Sequence, residues 1–372
     1  MNPQELFCPN LDCPGRGQVG QGNISLHSRQ EKRYYCKECK EPFAATKGTI
    51  FYRLKTDPQV VILILTLLAY GCPLQAVVAA YGFDERTIKR WWQRAGEHCQ
   101  AVHERVVGQR RLDLGQIQAD EIKAKIQGGT VWIAMALMVS TRLWLGGVVS
   151  RRREMALIEA LVAQVRQVAL CRPLLVAVDG LPSYVGAFYR AFRTKLPRRG
   201  QKGRCQLRPW SELNLVQVVK KRTASTLSIQ RRLVLGCAEQ VKQLIHTSQG
   251  HGSINTAFIE RLNATFRQRL TVLNRRTRAL AHHPQTLQAG MFVLGCVYNL
   301  CTYHYSLRVA LLLPNGRQRW LQRTPAIAAG LTDHRWSITE LFWFKVPPPR
   351  WAPPKRRGRP SKALLRLIDR WC

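Results

Sequence analysis

Residues 174–180 read LLVAVDG, five apolar residues closed by an acid and a glycine. A run this short is below helix length. It suits a strand covered on both faces, the kind found inside a parallel sheet. Asp179 then stands at the carboxyl end of that strand. Upstream, 116–126 alternates as a strand does, and 131–139 and 143–149 are apolar and β-prone with a turn at 140–142. Residues 154–169 have helical periodicity, and 183–193 read as the next helix. Residues 195–210 carry Lys195, Arg198, Arg199, Lys202, Arg204 and Arg208 and read as a basic loop. Asn255 or Thr256 can cap a long helix through residue 273, and 285–305 form an apolar helix.

Three early strands, a helix, a strand and later helices predict an α/β fold, a ribonuclease-H-like mixed sheet. Acids are scarce there, so their placement is informative: residues 113–305 contain nine. Asp113 precedes the first strand. Glu154, Glu159 and Glu239 fall on expected helices, and Glu212 falls in a basic loop. The other four are Asp120 and Glu121 in the first strand, Asp179, and Glu260 on a helix. No acid follows Glu260 until Asp333, while Arg261, Arg267, Arg269, Arg275, Arg276 and Arg278 crowd behind it. Carboxylates gathered at sheet ends repel unless a cation binds them. Two Mg²⁺ ions about 3.5–4 Å apart, with Mn²⁺ able to substitute, would answer that charge and perform phosphoryl transfer. The expected ligands are Asp120, Asp179 and Glu260. Glu121 remains an alternative to Asp120, because strand alternation puts the two on opposite faces. Asn263 and Arg267 share the helix face of Glu260, one and two turns on, which aims them at the same phosphates.

The chain has 372 residues, with 58 Lys and Arg against 22 Asp and Glu, a net charge of +36. Such an excess repels itself unless a polyanion is near, DNA or RNA being the obvious one, and double-stranded DNA is the partner expected here. An enzyme for small acidic substrates needs only a local basic pocket. At 46% hydrophobic the chain is no disordered polycation. The most apolar run, 60–68, is half the length of a membrane helix, so a soluble, cytoplasmic, nucleoid-associated protein is expected.

Of 12 cysteines, four are grouped: Cys8 and Cys13 enclose four residues, Cys36 and Cys39 enclose two, and 22 lie between the pairs. Two knuckles joined by a long loop predict a structural zinc ribbon holding one Zn²⁺. Residues 57–99 then read as three helices: an apolar one from Pro58 to Tyr70 ended by Gly71, a short one over 74–80 stopped at Gly82, and, after a tight turn, a third. Asp84 caps the last helix, with Ile88, Trp92 and Ala95 on an apolar back. Arg86, Lys89, Arg90, Gln93 and Arg94 form a basic front, the build of a DNA-recognition helix.

Taken together, these segments resemble a bacterial insertion-sequence transposase of the DDE class, closest to the IS-one-like group. The carriers are the cysteine ribbon running into Lys47-Gly48-Thr49-Ile50-Phe51, the helix-turn-helix, and Ala119-Asp120-Glu121-Ile122. Val178-Asp179-Gly180 followed by Tyr184, Phe258-Ile259-Glu260-Arg261-Leu262-Asn263 with Arg267, and Arg275-Arg276-Thr277 complete the set. The resemblance implies an enzyme that cuts element ends by hydrolysis and joins the 3′-hydroxyls to target DNA. It implies metal ligation by Asp120, Asp179 and Glu260 and DNA contact by Arg267. A homo-oligomer is expected on DNA, with no membrane partner.

The expected organisation is 1–55 zinc ribbon, 56–108 helix-turn-helix, 109–310 catalytic core, 311–346 C-terminal extension and 347–372 Pro-rich linker with basic tail. In the tail, Lys355-Arg356-Arg357-Gly358-Arg359-Pro360 resembles an AT-hook, which inserts Arg357 and Arg359 into a narrow minor groove. The competing readings are a zinc-ribbon, helix-turn-helix transcription regulator without catalysis, a related ribonuclease-H-fold nuclease, and a recombinase using Tyr303 as nucleophile.

Overall fold

Turn-rich sequence at the N-terminus closes into a three-stranded antiparallel sheet, β1 (Ile24–Ser28), β2 (Arg33–Cys36) and β3 (Pro42–Ala44). The computed structural model describes residues 2–196, 200, 203–222, 227–250, 252–274, 281–312, 314–351 and 361–371. It divides into two units, Met1–Val60 with Phe342–Cys372, and Val61–Leu341. In the first unit Leu6, Ile24, Tyr34, Phe43 and Ala45 pack around the four grouped cysteines as one small core. The returning C-terminal segment belongs to this unit: Trp343 packs on Phe51 with ring centroids 4.6 Å apart, and Arg16 Nε donates to the Pro349 carbonyl at 2.8 Å.

Three helices follow the ribbon: α1 (Pro58–Ala69), α2 (Leu74–Tyr81) and α3 (Glu85–His103), the last continued by a π-turn over Glu104–Gly108. The chain turns at Gly82 in the left-handed region (φ 69°), and the Asp84 side chain caps α3 by accepting from Arg86 N. The buried stripe of α3 is Ile88, Trp91, Ala95 and Cys99. Trp91 therefore takes the place expected of Trp92, which is only half-buried. The i, i+3, i+7 spacing from Ile88 favours 91 over 92 once Ala95 is in the stripe.

The second unit is mixed α/β. Its six-stranded sheet uses β4 (Gln116–Ile126), β5 (Gly129–Met138), β6 (Trp144–Ser150), then α4 (Met155–Val168), β7 (Leu174–Val178) and α5 (Pro182–Ala191). A small hairpin, β8 (Arg193–Lys195) and β9 (Leu207–Pro209), lies where a plain basic loop is expected. Two strands that the pattern does not announce follow, β10 (Leu213–Arg222) and β11 (Leu227–Leu235), with Glu212 in the exposed turn just before β10. The sheet order is β11-β10-β7-β4-β5-β6. The pairs β4–β7 and β7–β10 are parallel, and the other three are antiparallel. All five residues of β7 are buried, as its uninterrupted apolar run requires.

Then come α6 (Ala238–Gln249), α7 (Ala257–Arg269) and α8 (Pro284–Cys296). α7 stops before 273, where Thr271–Leu273 makes a separate 3-10 turn, and α8 ends in a π-turn over Val297–Cys301. α8 packs along α3 so closely that a Cβ on Gly96 would lie 2.3 Å from the Ala289 Cα. α3 is thereby part of the α/β unit. Beyond it lie an exposed hairpin, β12 (Val309–Leu312) and β13 (Gln318–Leu321), and two short helices, α9 (Pro325–Ala328) and α10 (Ile338–Trp343). The tail ends in α11 (Lys362–Trp371). Among the described residues no helix is long and apolar enough to cross a membrane.

Candidate functional site

Parallel pairing of β4 with β7 sets Ala119 opposite Val178, so the next residues, Asp120 and Asp179, stand level on neighbouring central strands. Gln118 fixes the third acid. Its Nε2 donates to the Asn255 carbonyl at 2.6 Å, and its Oε1 accepts from Ile259 N at 2.9 Å. That second bond satisfies a first-turn amide of α7 and ties the helix start to β4. Gln116 ties the C-terminal end of α6 to β4, its Oε1 accepting from the side chains of the last two helix residues, Ser248 Oγ at 2.5 Å and Gln249 Nε2 at 2.9 Å. With α7 pinned, Asn263 Nδ2 donates to Asp120 Oδ2 at 2.8 Å, and Glu260 reaches the same cleft. This open cleft of about 240 Å³ is lined by Asp120, Asp179, Gly180, Val218, Val219, Lys220, Thr256 and Glu260.

The carboxylates are not equivalent. Oxygens of Asp120, Glu121 and Asp179 all lie within 4.8 Å of one another. Glu260 is outside that tight group: its Oε1 accepts from Thr256 Oγ1 at 2.6 Å and pairs with Lys220 Nζ. Glu121, the residue after Asp120 on β4, is buried beside Asp120 and Asp179. Its side chain is 1% exposed, and Oε2 accepts from Arg153 Nη2 at 2.7 Å and Nε at 3.1 Å. Arg153 Nη2 also reaches Asp179 Oδ2 at 3.1 Å, while Asp179 Oδ1 accepts from Leu181 N at 2.9 Å.

Burial, reinforced by the charges of Glu121, Asp179 and Glu260, pushes the Asp120 carboxyl up to about 6. Burial also raises Glu260, but its bonds from Lys220 and Thr256 outweigh this and leave it below the usual carboxylate range. The Tyr184 hydroxyl is pushed well up, first by burial and then by Glu121. Four acids against Arg153 and Lys220 leave the cleft short of positive charge, and hard carboxylate oxygens suit Mg²⁺ or Mn²⁺.

The four grouped cysteines come together. Cys8 and Cys39 Sγ are 3.6 Å apart, Cys13 and Cys36 3.9 Å, and all four lie within 4.8 Å. A tetrahedral zinc with sulfur at about 2.3 Å sets sulfur–sulfur edges of about 3.8 Å. Burial pushes the Cys13 thiol up to about 12 and the Cys8 thiol well up too, so a cation is what would hold four thiolates here.

On α3, Arg86, Lys89 and Arg90 are exposed and Gln93 is half-buried. Lys89 pairs with Glu85 at 2.5 Å, and Gln93 donates to Glu97 at 3.2 Å. Asn263 is buried, and Arg267 is half-buried two turns beyond Glu260. Arg275, Arg276, Arg278 and the AT-hook-like residues Arg357 and Arg359 lie outside the described residues. Sequence reasoning missed Arg153, Lys220 and Gln118. Gln118 carried a usable signal, a polar residue on a central strand two positions before Asp120. The two bases carried none, being two among 58. No family model matches the chain, and no curated protein matches it.

Proposed function

We propose that the chain is a DDE-type insertion-sequence transposase that binds element ends and catalyses divalent-metal-dependent DNA cleavage and strand transfer. The observation that carries this reading is the meeting of Asp120, Asp179 and Glu260, from two central strands and a helix, around one open cleft. Three consecutive antiparallel strands, a crossover helix and further parallel strands are in keeping with a ribonuclease-H-like core.

Asp120 and Asp179 hold metal from neighbouring strands, and Glu260 completes the set from α7. Two ions bound there would activate a water or a 3′-hydroxyl and neutralise the leaving oxygen. Asn263 orients Asp120, and Gln118 holds α7 in register with the strands. The basic front of α3, together with the AT-hook-like tail, supplies DNA contact, and the cysteine cluster holds one structural Zn²⁺. The enzyme works as a homo-oligomer when two DNA ends are joined.

The test uses a supercoiled plasmid carrying the gene with its native flanking DNA, in Mg²⁺. Wild type should cut at the flanks and join the freed ends to target. Asp120→Asn, Asp179→Asn and Glu260→Gln should each abolish both steps and leave DNA binding intact or tighter. Mg²⁺-dependent cleavage by all three variants would favour the regulator without catalysis instead.

A further inference from the structure

We propose that Arg153 is a phosphate ligand of the acidic cleft and that Glu121 is its positioning residue, not a metal ligand. The proposal rests on the metal-dependent reading above and extends it to two residues. Arg153 lies just before α4, at the mouth of the site, with its side chain one-third exposed. Three contacts hold it: two of its nitrogens on the buried Glu121 carboxylate, Nη2 also on Asp179, and the guanidinium over the Trp132 ring at 5.0 Å from the centroid. Nη1 has no partner among the described residues.

The two carboxylate contacts differ in kind. The Glu121 side chain is 1% exposed and the Asp179 side chain 36%. The buried end is an anchor, since breaking it would leave an unpaired charge in the interior. The open end can exchange. A planar guanidinium with one nitrogen free and another on an exposed oxygen is preorganised to take a phosphate oxygen beside the metal-bearing carboxylates. Preorganisation costs little on binding because Glu121 and Trp132 have already fixed the side chain.

The geometry also resolves which of two adjacent acids does what. Asp120 lines the open cleft and Glu121 does not. Glu121 Oε1 and the Tyr184 hydroxyl are both buried, and the two groups face each other. The Glu121 carboxylate is therefore enclosed by protein, and Arg153 joins it to Asp179 at the cleft.

The test measures affinity for a 30-base-pair duplex of the native flanking DNA, in EDTA and in Ca²⁺, which supports binding without requiring cleavage. Wild type should bind more tightly in Ca²⁺. Arg153→Ala should lose about tenfold of that metal-dependent gain, as expected for one charge-assisted hydrogen bond, and change affinity in EDTA little. Arg153→Lys should recover part of the gain. Glu121→Gln should lose it partially while leaving Mn²⁺ affinity of the free protein near wild type. Equal weakening by Arg153→Ala in EDTA and in Ca²⁺ would reduce Arg153 to a general electrostatic contact and overturn the proposal. Loss of Mn²⁺ binding in Glu121→Gln would overturn the anchor role. If wild type shows no metal-dependent gain and Asp179→Asn no loss of Mn²⁺ affinity, the metal-dependent reading fails, and this proposal with it.

Discussion

Asp120→Asn should make the metal-free protein more stable at pH 8. Burial and three neighbouring acids raise the native carboxyl from 3.8 to about 6, so the folded state holds the Asp120 proton more tightly than the unfolded chain. A raised acid contributes no penalty below its unfolded value. Its cost grows as pH climbs from 3.8 and is complete above about 6. At 1.36 kcal/mol per unit the cost is about 3 kcal/mol. Asparagine is nearly the same shape and carries no charge, and its oxygen can still accept from Asn263 Nδ2. Urea denaturation in EDTA, followed by tryptophan fluorescence, should show Asp120→Asn gaining about 2–3 kcal/mol at pH 8 and almost nothing at pH 3. An equal gain at both pH values, or a loss at pH 8, would refute the electrostatic reasoning.

Other perturbations test separate parts of the structure. Gly96→Ala places a methyl against the Ala289 backbone at 2.3 Å; overpacking there should cost about 1–3 kcal/mol or more, read as a lower urea midpoint. Cys36→Ser should lower the zinc content measured by elemental analysis, and unchanged zinc would contradict the ribbon assignment. Arg86→Ala or Arg90→Ala should reduce discrimination between flanking and random DNA by about 1–3 kcal/mol while leaving nonspecific affinity nearly intact. Equal loss on both DNAs would mark a phosphate contact only.

Much of the centre of this fold was legible because its signals are local. The apolar run at 174–178 can bury both faces only inside a sheet, and it became the fully buried β7. Strand alternation suggested separate surroundings for Asp120 and Glu121; Asp120 lines the cleft while Glu121 is buried on Arg153, yet their carboxylate oxygens come within 4.8 Å of each other. Asp84 announced α3 as a capping residue, its side chain accepting a hydrogen bond from Arg86 N two residues on. Residues 213–235 were harder. β10 mixes buried leucine and valine with Lys220, and β11 is an exposed edge, so neither shows a sustained period of two. The partners of the acids were not legible at all. Arg153 lies 32 residues from Glu121, and Lys220 lies 40 from Glu260; only tertiary packing chooses them from so many bases. The same limit applied to α3, whose basic face was evident while the helix it packs on, α8, lies nearly 200 residues along the chain.

The claim that Asp120, Asp179 and Glu260 form a divalent-metal centre is tested most directly by anomalous scattering from crystals grown with MnCl₂. The account predicts manganese peaks at ligand distance from the Asp120 and Asp179 carboxylates, lost in Asp179→Asn. A zinc peak among Cys8, Cys13, Cys36 and Cys39 should persist in both and serves as the internal control. A clear zinc peak with no manganese in the acidic cleft would contradict it.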